Sequence, residues 1–153
     1  MTSAFTHTHS WTLPAPPDAV FRALTDPVEL TQWFAEHAQI EPRAGGVYRF
    51  WGRHTIGTPP QDEARQTITR FQPNTELAYI WPINDVDTIV TMTLAPDTKG
   101  TTLSITHHVS GDLSLPRQGE SLDDYWRLAM ANLSMHLDGK PVIMPDFFDP
   151  TRS

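Results

Sequence analysis

The stretch LPAPPDAVFRALTDPVELTQWF, Leu13–Phe34, holds two helix starts separated by a proline corner. Pro16 and Pro17 precede Asp18, which suits a first helical turn: the missing N–H costs nothing there and a carboxylate complements the helix dipole. Val20, Phe21 and Leu24 recur at helical spacing and form one apolar face. Pro27 disfavours the helical region for Asp26 and ends the first helix. Asp26 can cap a second short helix with Pro27 at its first position and Leu30, Trp33 and Phe34 on one side. Two short helices meeting at a corner cannot bury their faces against each other alone, so they require a sheet.

Working outward, the remaining sequence supplies one. Phe5, His7, His9, Trp11 and Leu13 alternate with Thr6, Thr8, Ser10 and Thr12, the period of a half-buried strand. Gly45-Gly46 makes a turn, followed by Tyr48 and Phe50 alternating with Val47, Arg49 and Trp51. A strand over about Ala64 to Phe71 turns at Pro73-Asn74 into Leu77, Tyr79 and Trp81. Val90, Met92 and Leu94 alternate with threonines, and a turn at Pro96 to Gly100 leads into Leu103, Ile105, His107 and Val109. The last element is a helix from about Leu122 to Leu137, with Ser121 and Asp124 as a variant capping box. Trp126, Met130, Leu133 and Leu137 form one face, and Gly139 stops it. One antiparallel sheet with one long amphipathic helix is an α+β layer architecture. A curved sheet gripping that helix, with the two short helices closing one end, leaves a cleft.

Ala15–Phe34 (APPDAVFRALTDPVELTQWF) resembles the signature of the family of activators of the heat-shock protein 90 ATPase, within the START-like, or SRPBCC, superfamily. Gly45-Gly46 with Tyr48 and Phe50, Pro73 with Leu77–Trp81, Gly100–His107, and Trp126 with Leu133 and Leu137 resemble further family elements in the same order. The resemblance covers about Phe5 to Lys140 and implies a helix-grip, Bet v 1-like fold. Gln66 stands where members often carry Gly, and Asp124-Tyr125 replaces the usual Gly before the helix Trp. The organisation expected is one START-like domain over residues 1–140 and an apolar tail over 141–153.

The 153 residues suit one domain with a sizeable core. A formal charge of −7, with Lys99 and Lys140 the only lysines, disfavours a nucleic-acid partner and an acidic membrane. No cysteine is present, so disulfide and thiolate chemistry are closed to the chain. The start MTSAFTHTHSW lacks a signal-peptide pattern and no apolar run suits a spanning helix, so the cytoplasm is the expected location.

Candidate chemistry centres on Trp33, Phe34, Tyr48, Phe50, Tyr79, Trp81 and Trp126, on faces of the sheet and helix that should meet. Each alone reads as core. Together, with Met92 and Met130 as adaptable lining, they read as the wall of an apolar pocket whose Tyr and Trp polar atoms orient a ligand. His107 shares parity with Leu103, Ile105 and Val109 and should point inward, either as a hydrogen-bonded core imidazole or as a ligand-orienting group or general base. His108 has the opposite parity. His7 and His9 share a strand face, but no spaced carboxylate or Cys completes a metal site in sequence; His54 or His136 would have to arrive through space. No metal or other cofactor is therefore expected. Asp62, Glu63, Asp85 and Asp87 read as solvated turns, and Arg49 and Arg65 as surface ion pairs or partners of an acidic head-group. No phosphate loop, nucleophile elbow or Ser/His/Asp arrangement is readable.

The tail carries Val142, Ile143, Met144, Phe147 and Phe148, which must be covered. They can strap their own domain, close the pocket mouth or form a homodimer. Three functions fit: a module binding a small, largely apolar or amphipathic molecule, which is the leading reading; a protein–protein adaptor of the chaperone-activator kind implied by the resemblance; and a cyclase- or dehydratase-like enzyme with His107 and Tyr79 as proton-transfer groups.

Overall fold

A computed structural model of the chain describes residues 5–56, 58–115 and 118–147, the last segment beginning with backbone only at 118–120. Its order is β1 (Phe5–Leu13), α1 (Pro17–Thr25), α2 (Pro27–Trp33), β2 (His37–Ile40), β3 (Tyr48–Trp51), β4 (Thr67–Gln72), β5 (Glu76–Ile83), β6 (Val86–Asp97), β7 (Gly100–Val109) and α3 (Gln118–Leu137). Five strands form one antiparallel sheet in the order β1-β7-β6-β5-β4, while β2 and β3 form a separate hairpin. An antiparallel bridge between Val47 and Thr67 links that hairpin to β4. This is the α+β helix-grip fold: the sheet wraps α3, and α1 and α2 close one end.

The helix corner forms as the two prolines dictate. Asp26 is at once the C-cap of α1 and the N-cap of α2, where its Oδ1 accepts from Val28 N at 2.8 Å. Pro27 has no N–H for the Ala23 carbonyl, and Val28 N is taken by Asp26, which leaves the Leu24 carbonyl open. Side chains from other elements fill both places. The Trp33 indole N–H donates to Ala23 O at 3.0 Å, and the Tyr48 hydroxyl donates to Leu24 O at 2.5 Å.

The double glycine is required by crowding. Gly45 has φ +82°, and a Cβ on Gly46 would fall 2.3 Å from the Glu41 carbonyl oxygen. The freed backbone pairs with β4 through Ile68 N to Gly46 O at 2.8 Å and Gly45 N to Ile68 O at 2.8 Å.

Three local readings need correction. The long helix starts at Gln118, about a turn before Leu122, so Ser121 and Asp124 lie inside it and form no N-terminal capping box. Gln118, Gly119 and Glu120 carry no apolar signal, so periodicity could not reveal that turn. The strand expected from Ala64 begins at Thr67, after a short 3-10 turn at Gln61–Glu63. Strand β2 has no signal in the sequence, because HAQI is too short to show a period.

Residues 141–147 lie across the domain. Asn132 on α3 exchanges two hydrogen bonds with the Ile143 backbone, at 2.8 and 3.3 Å. Phe147 N donates to Arg53 O at 2.8 Å, and the Phe147 ring packs on Tyr125 at 5.8 Å. Ile143 itself is exposed, and Phe148 lies outside the described residues. Among the described residues, no helix is long and apolar enough to cross a membrane.

Candidate functional site

Trp33, Phe34, Tyr48, Phe50, Tyr79, Trp81, Met92, His107, Trp126 and Met130 do converge between the sheet and α3, and each is at most 4% exposed. They meet as a packed aromatic cluster. Phe34 stacks on Trp126 with centroids 5.9 Å apart, Phe50 meets Trp81 edge-on at 5.1 Å, and Tyr48 lies 4.6 Å from Tyr79. The expected cleft is filled by these side chains among the described residues. A small void of about 10 Å³, room for about one water, remains beside Trp33, Phe34, His54, Tyr125, Ala129, Asn132 and Pro145. Larger surface depressions of about 170 and 460 Å³ are lined by none of the ten.

His107 points inward, and both its ring nitrogens are occupied. The Trp126 indole can only donate, so its 2.9 Å bond to Nδ1 fixes the lone pair there and the proton on Nε2. Nε2 donates to Thr88 Oγ1 at 2.7 Å, and that hydroxyl donates to the Trp81 carbonyl at 2.7 Å. The imidazole stacks on Trp81 at 5.3 Å and 12°. Burial lowers its pKa from 6.5 to about 3, helped by His7 and His108. Of the two roles considered for His107, a neutral imidazole with both nitrogens engaged matches the hydrogen-bonded core residue. His108 faces outward and bonds Thr6 Oγ1 at 2.9 Å.

Tyr79 differs. Its hydroxyl is buried without a hydrogen-bond partner among the described residues, as is that of Tyr125 on α3. Burial raises both phenol pKa values well above 10, with Tyr48 adding to each, so both are neutral donors. A buried phenol with no accessible base is a poor proton-transfer group, but two neutral hydroxyls with unmet capacity are well suited to orienting a polar group.

The remaining candidates separate. Arg49 donates through Nε to Ala64 O at 2.9 Å and through a terminal nitrogen to Gln39 at 3.3 Å, at the surface. Asp62, Glu63, Arg65, Asp85 and Asp87 are exposed. His54 bonds the Pro145 carbonyl at 2.6 Å and His136 bonds Glu29 at 3.1 Å, so neither joins His7 and His9. Asp123 on α3 does, with Oδ1 3.9 Å from His7 Nδ1 and 3.3 Å from His9 Nε2. Burial lowers the His7 pKa against the opposing pull of Asp123.

Residues 14–138 match the family described as Activator of Hsp90 ATPase homolog 1-like protein. The chain belongs to this family. Solved structures share the fold. A protein from Mesorhizobium loti is 21% identical, with a TM-score of 0.72 over 90% of this chain and 100% of that one. A Hsp90-activator-like protein from Rhizobium etli is 24% identical, with a TM-score of 0.68 over 99% and 90%. DynU16, of the dynemicin biosynthetic locus, is 23% identical with a TM-score of 0.70, and this chain spans 48% of its length. At these identities the likeness is one of fold. No functionally curated protein is similar enough in sequence to count as a relative.

Within this Hsp90-activator-like domain, Gln66 and Tyr125, two of the residues at which the sequence resemblance fails, fall at the aromatic cluster. Gln66 is buried and its amide donates to Phe50 O at 2.9 Å while its oxygen accepts from Phe50 N at 3.4 Å, a side-chain substitute for strand pairing. Tyr125 supplies one of the two cluster phenols that have no hydrogen-bond partner among the described residues. Sequence reading passed over Tyr125 and Thr88 as site residues, although Leu122, Tyr125, Trp126 and Ala129 show helical spacing and Thr88 shares parity with Val90.

Proposed function

We propose that this domain binds a small, largely apolar molecule carrying a hydrogen-bonding group, taken up between the sheet and α3 by displacement of aromatic side chains. The supporting observation is the pair of buried hydroxyls, Tyr79 and Tyr125, that lack partners among the described residues inside an otherwise satisfied aromatic cluster. An unmet buried hydroxyl costs about 1–3 kcal/mol, which a ligand acceptor or donor would recover. The way in lies beneath the 141–147 segment, whose Pro145 lines the small void and whose Phe147 covers Tyr125. Cytoplasmic residence and a monomer closed by its own tail complete this reading.

The test is native mass spectrometry of untagged protein with organic extraction of the bound fraction, repeated for Tyr125→Phe. A co-purifying small molecule that is retained less well by the variant supports the proposal. A ligand-free mass, together with unchanged melting in a panel of apolar carboxylic acids and phenols, would sink it and favour a protein partner.

A further inference from the structure

We propose that His7, His9 and Asp123 form a zinc-type divalent metal site with an open fourth position, clasping strand β1 to helix α3. The inference is independent of the ligand reading above and uses none of its residues.

His7 and His9 are two apart on β1, so both side chains leave the same face, the one that packs on α3. Asp123, at the N-terminal part of α3, lies against them. One ligand atom from each of the three falls within 4.8 Å of the others. The 3.3 Å between His9 Nε2 and Asp123 Oδ1 already equals the edge of a tetrahedron with bonds of about 2.0 Å. The remaining contraction falls chiefly to rotation of the two imidazoles, because Arg127 holds Asp123 through its other carboxylate oxygen.

Two further observations point to a cation. The Nε2 atoms of His7 and His9 are both buried and make no hydrogen bond among the described residues. The two imidazole rings lie nearly parallel, with centroids 6.2 Å apart and 18° between their planes. His9 Nε2 stands 3.3 Å from Asp123 Oδ1 without hydrogen-bond geometry, and a metal ion held by one nitrogen of each imidazole would give that pair a bonded partner. Meanwhile Arg127 Nε holds the other carboxylate oxygen of Asp123 at 2.8 Å, one turn along the helix. That bond orients the carboxylate and leaves Oδ1 turned to the histidines, the arrangement by which outer partners fix metal ligands. Two imidazoles and one carboxylate form a borderline-soft set, suited to zinc rather than to calcium or magnesium.

The test is calorimetric titration of zinc chloride into untagged, chelator-stripped full-length protein, alongside His9→Ala, Asp123→Asn and the outward-facing control His108→Ala. The expected result is one zinc per chain, with affinity reduced at least about tenfold in His9→Ala and Asp123→Asn and unchanged in His108→Ala. Zinc should raise the melting temperature of the wild type and of His108→Ala but not of His9→Ala. Cobalt substitution should give the intense visible bands of a four-coordinate ion. Absence of binding at millimolar zinc, or wild-type affinity in both ligand variants, overturns the proposal.

Discussion

Tyr79 and His107 occupy one cross-strand row of the inner sheet face, separated only by Val90, yet their polar atoms fare in opposite ways. His107 has a donor on one side and an acceptor on the other, so its imidazole is spent on holding Trp126 to Thr88 and Trp81. Tyr79 is as deeply buried, and its hydroxyl has no partner among the described residues. A buried polar group that is satisfied is part of the scaffold. One that is not leaves binding capacity in store, and the contrast separates structure from candidate function within a single row.

The contrast can be broken most forcefully at His107. Replacing it with Ala should cost about 3 kcal/mol or more in urea unfolding, because the Trp126 indole loses its acceptor and a void opens. His107→Gln can keep an acceptor towards Trp126 and a donor towards Thr88 and should recover much of that loss. Equal loss in both would mean that ring shape, not the hydrogen-bond pair, holds the row together.

Acid should act through the same residue. Its folded pKa of about 3 lies below the unfolded value of 6.5, so the unfolded chain takes up the proton first. Stability contributed by keeping this imidazole neutral is present above about pH 6.5 and is lost on acidification towards pH 3, at up to about 1.4 kcal/mol per pH unit. His7, also lowered, adds in the same direction. Melting curves from pH 7 to 4 should show a shallower slope for His107→Gln than for the wild type; parallel slopes would refute the assignment.

The tyrosines give a smaller but opposite-signed pair. Tyr48→Phe should lose about 1 kcal/mol, since the Leu24 carbonyl is left without its donor, whereas Tyr79→Phe should gain about 1 kcal/mol in ligand-free protein by removing an unmet hydroxyl. Chemical denaturation of both variants checks the signs. If Tyr79→Phe destabilises, its hydroxyl already has a partner. The smallest effect is expected from truncation after Lys140, which removes the Asn132 and Arg53 contacts: a modest fall in melting temperature at unchanged solution mass. A halved mass would show instead that the tail joins two copies.

Much of this fold was legible because it is written in short-range chemistry. The proline corner at Asp26-Pro27, the strand alternation and the inward parity of His107 depend on neighbours in the chain. The filling of the cleft was not legible, because periodicity states which way a side chain points and not how much room it meets. Nor was the occupation of His107, which depends on Thr88 and Trp126 from different elements. Asp123 is further out of reach: nothing near His7 and His9 in sequence announces a carboxylate that arrives on the last helix.

The end of α1 has a consequence for the order of assembly. Its Ala23 and Leu24 carbonyls are finished by Trp33 and by Tyr48, the latter from the hairpin beyond the helix corner. Local helix formation therefore stops one step short of completion until β3 has docked. The corner and the hairpin should gain protection from hydrogen exchange together during refolding, as one cooperative unit rather than as a helix awaiting a sheet.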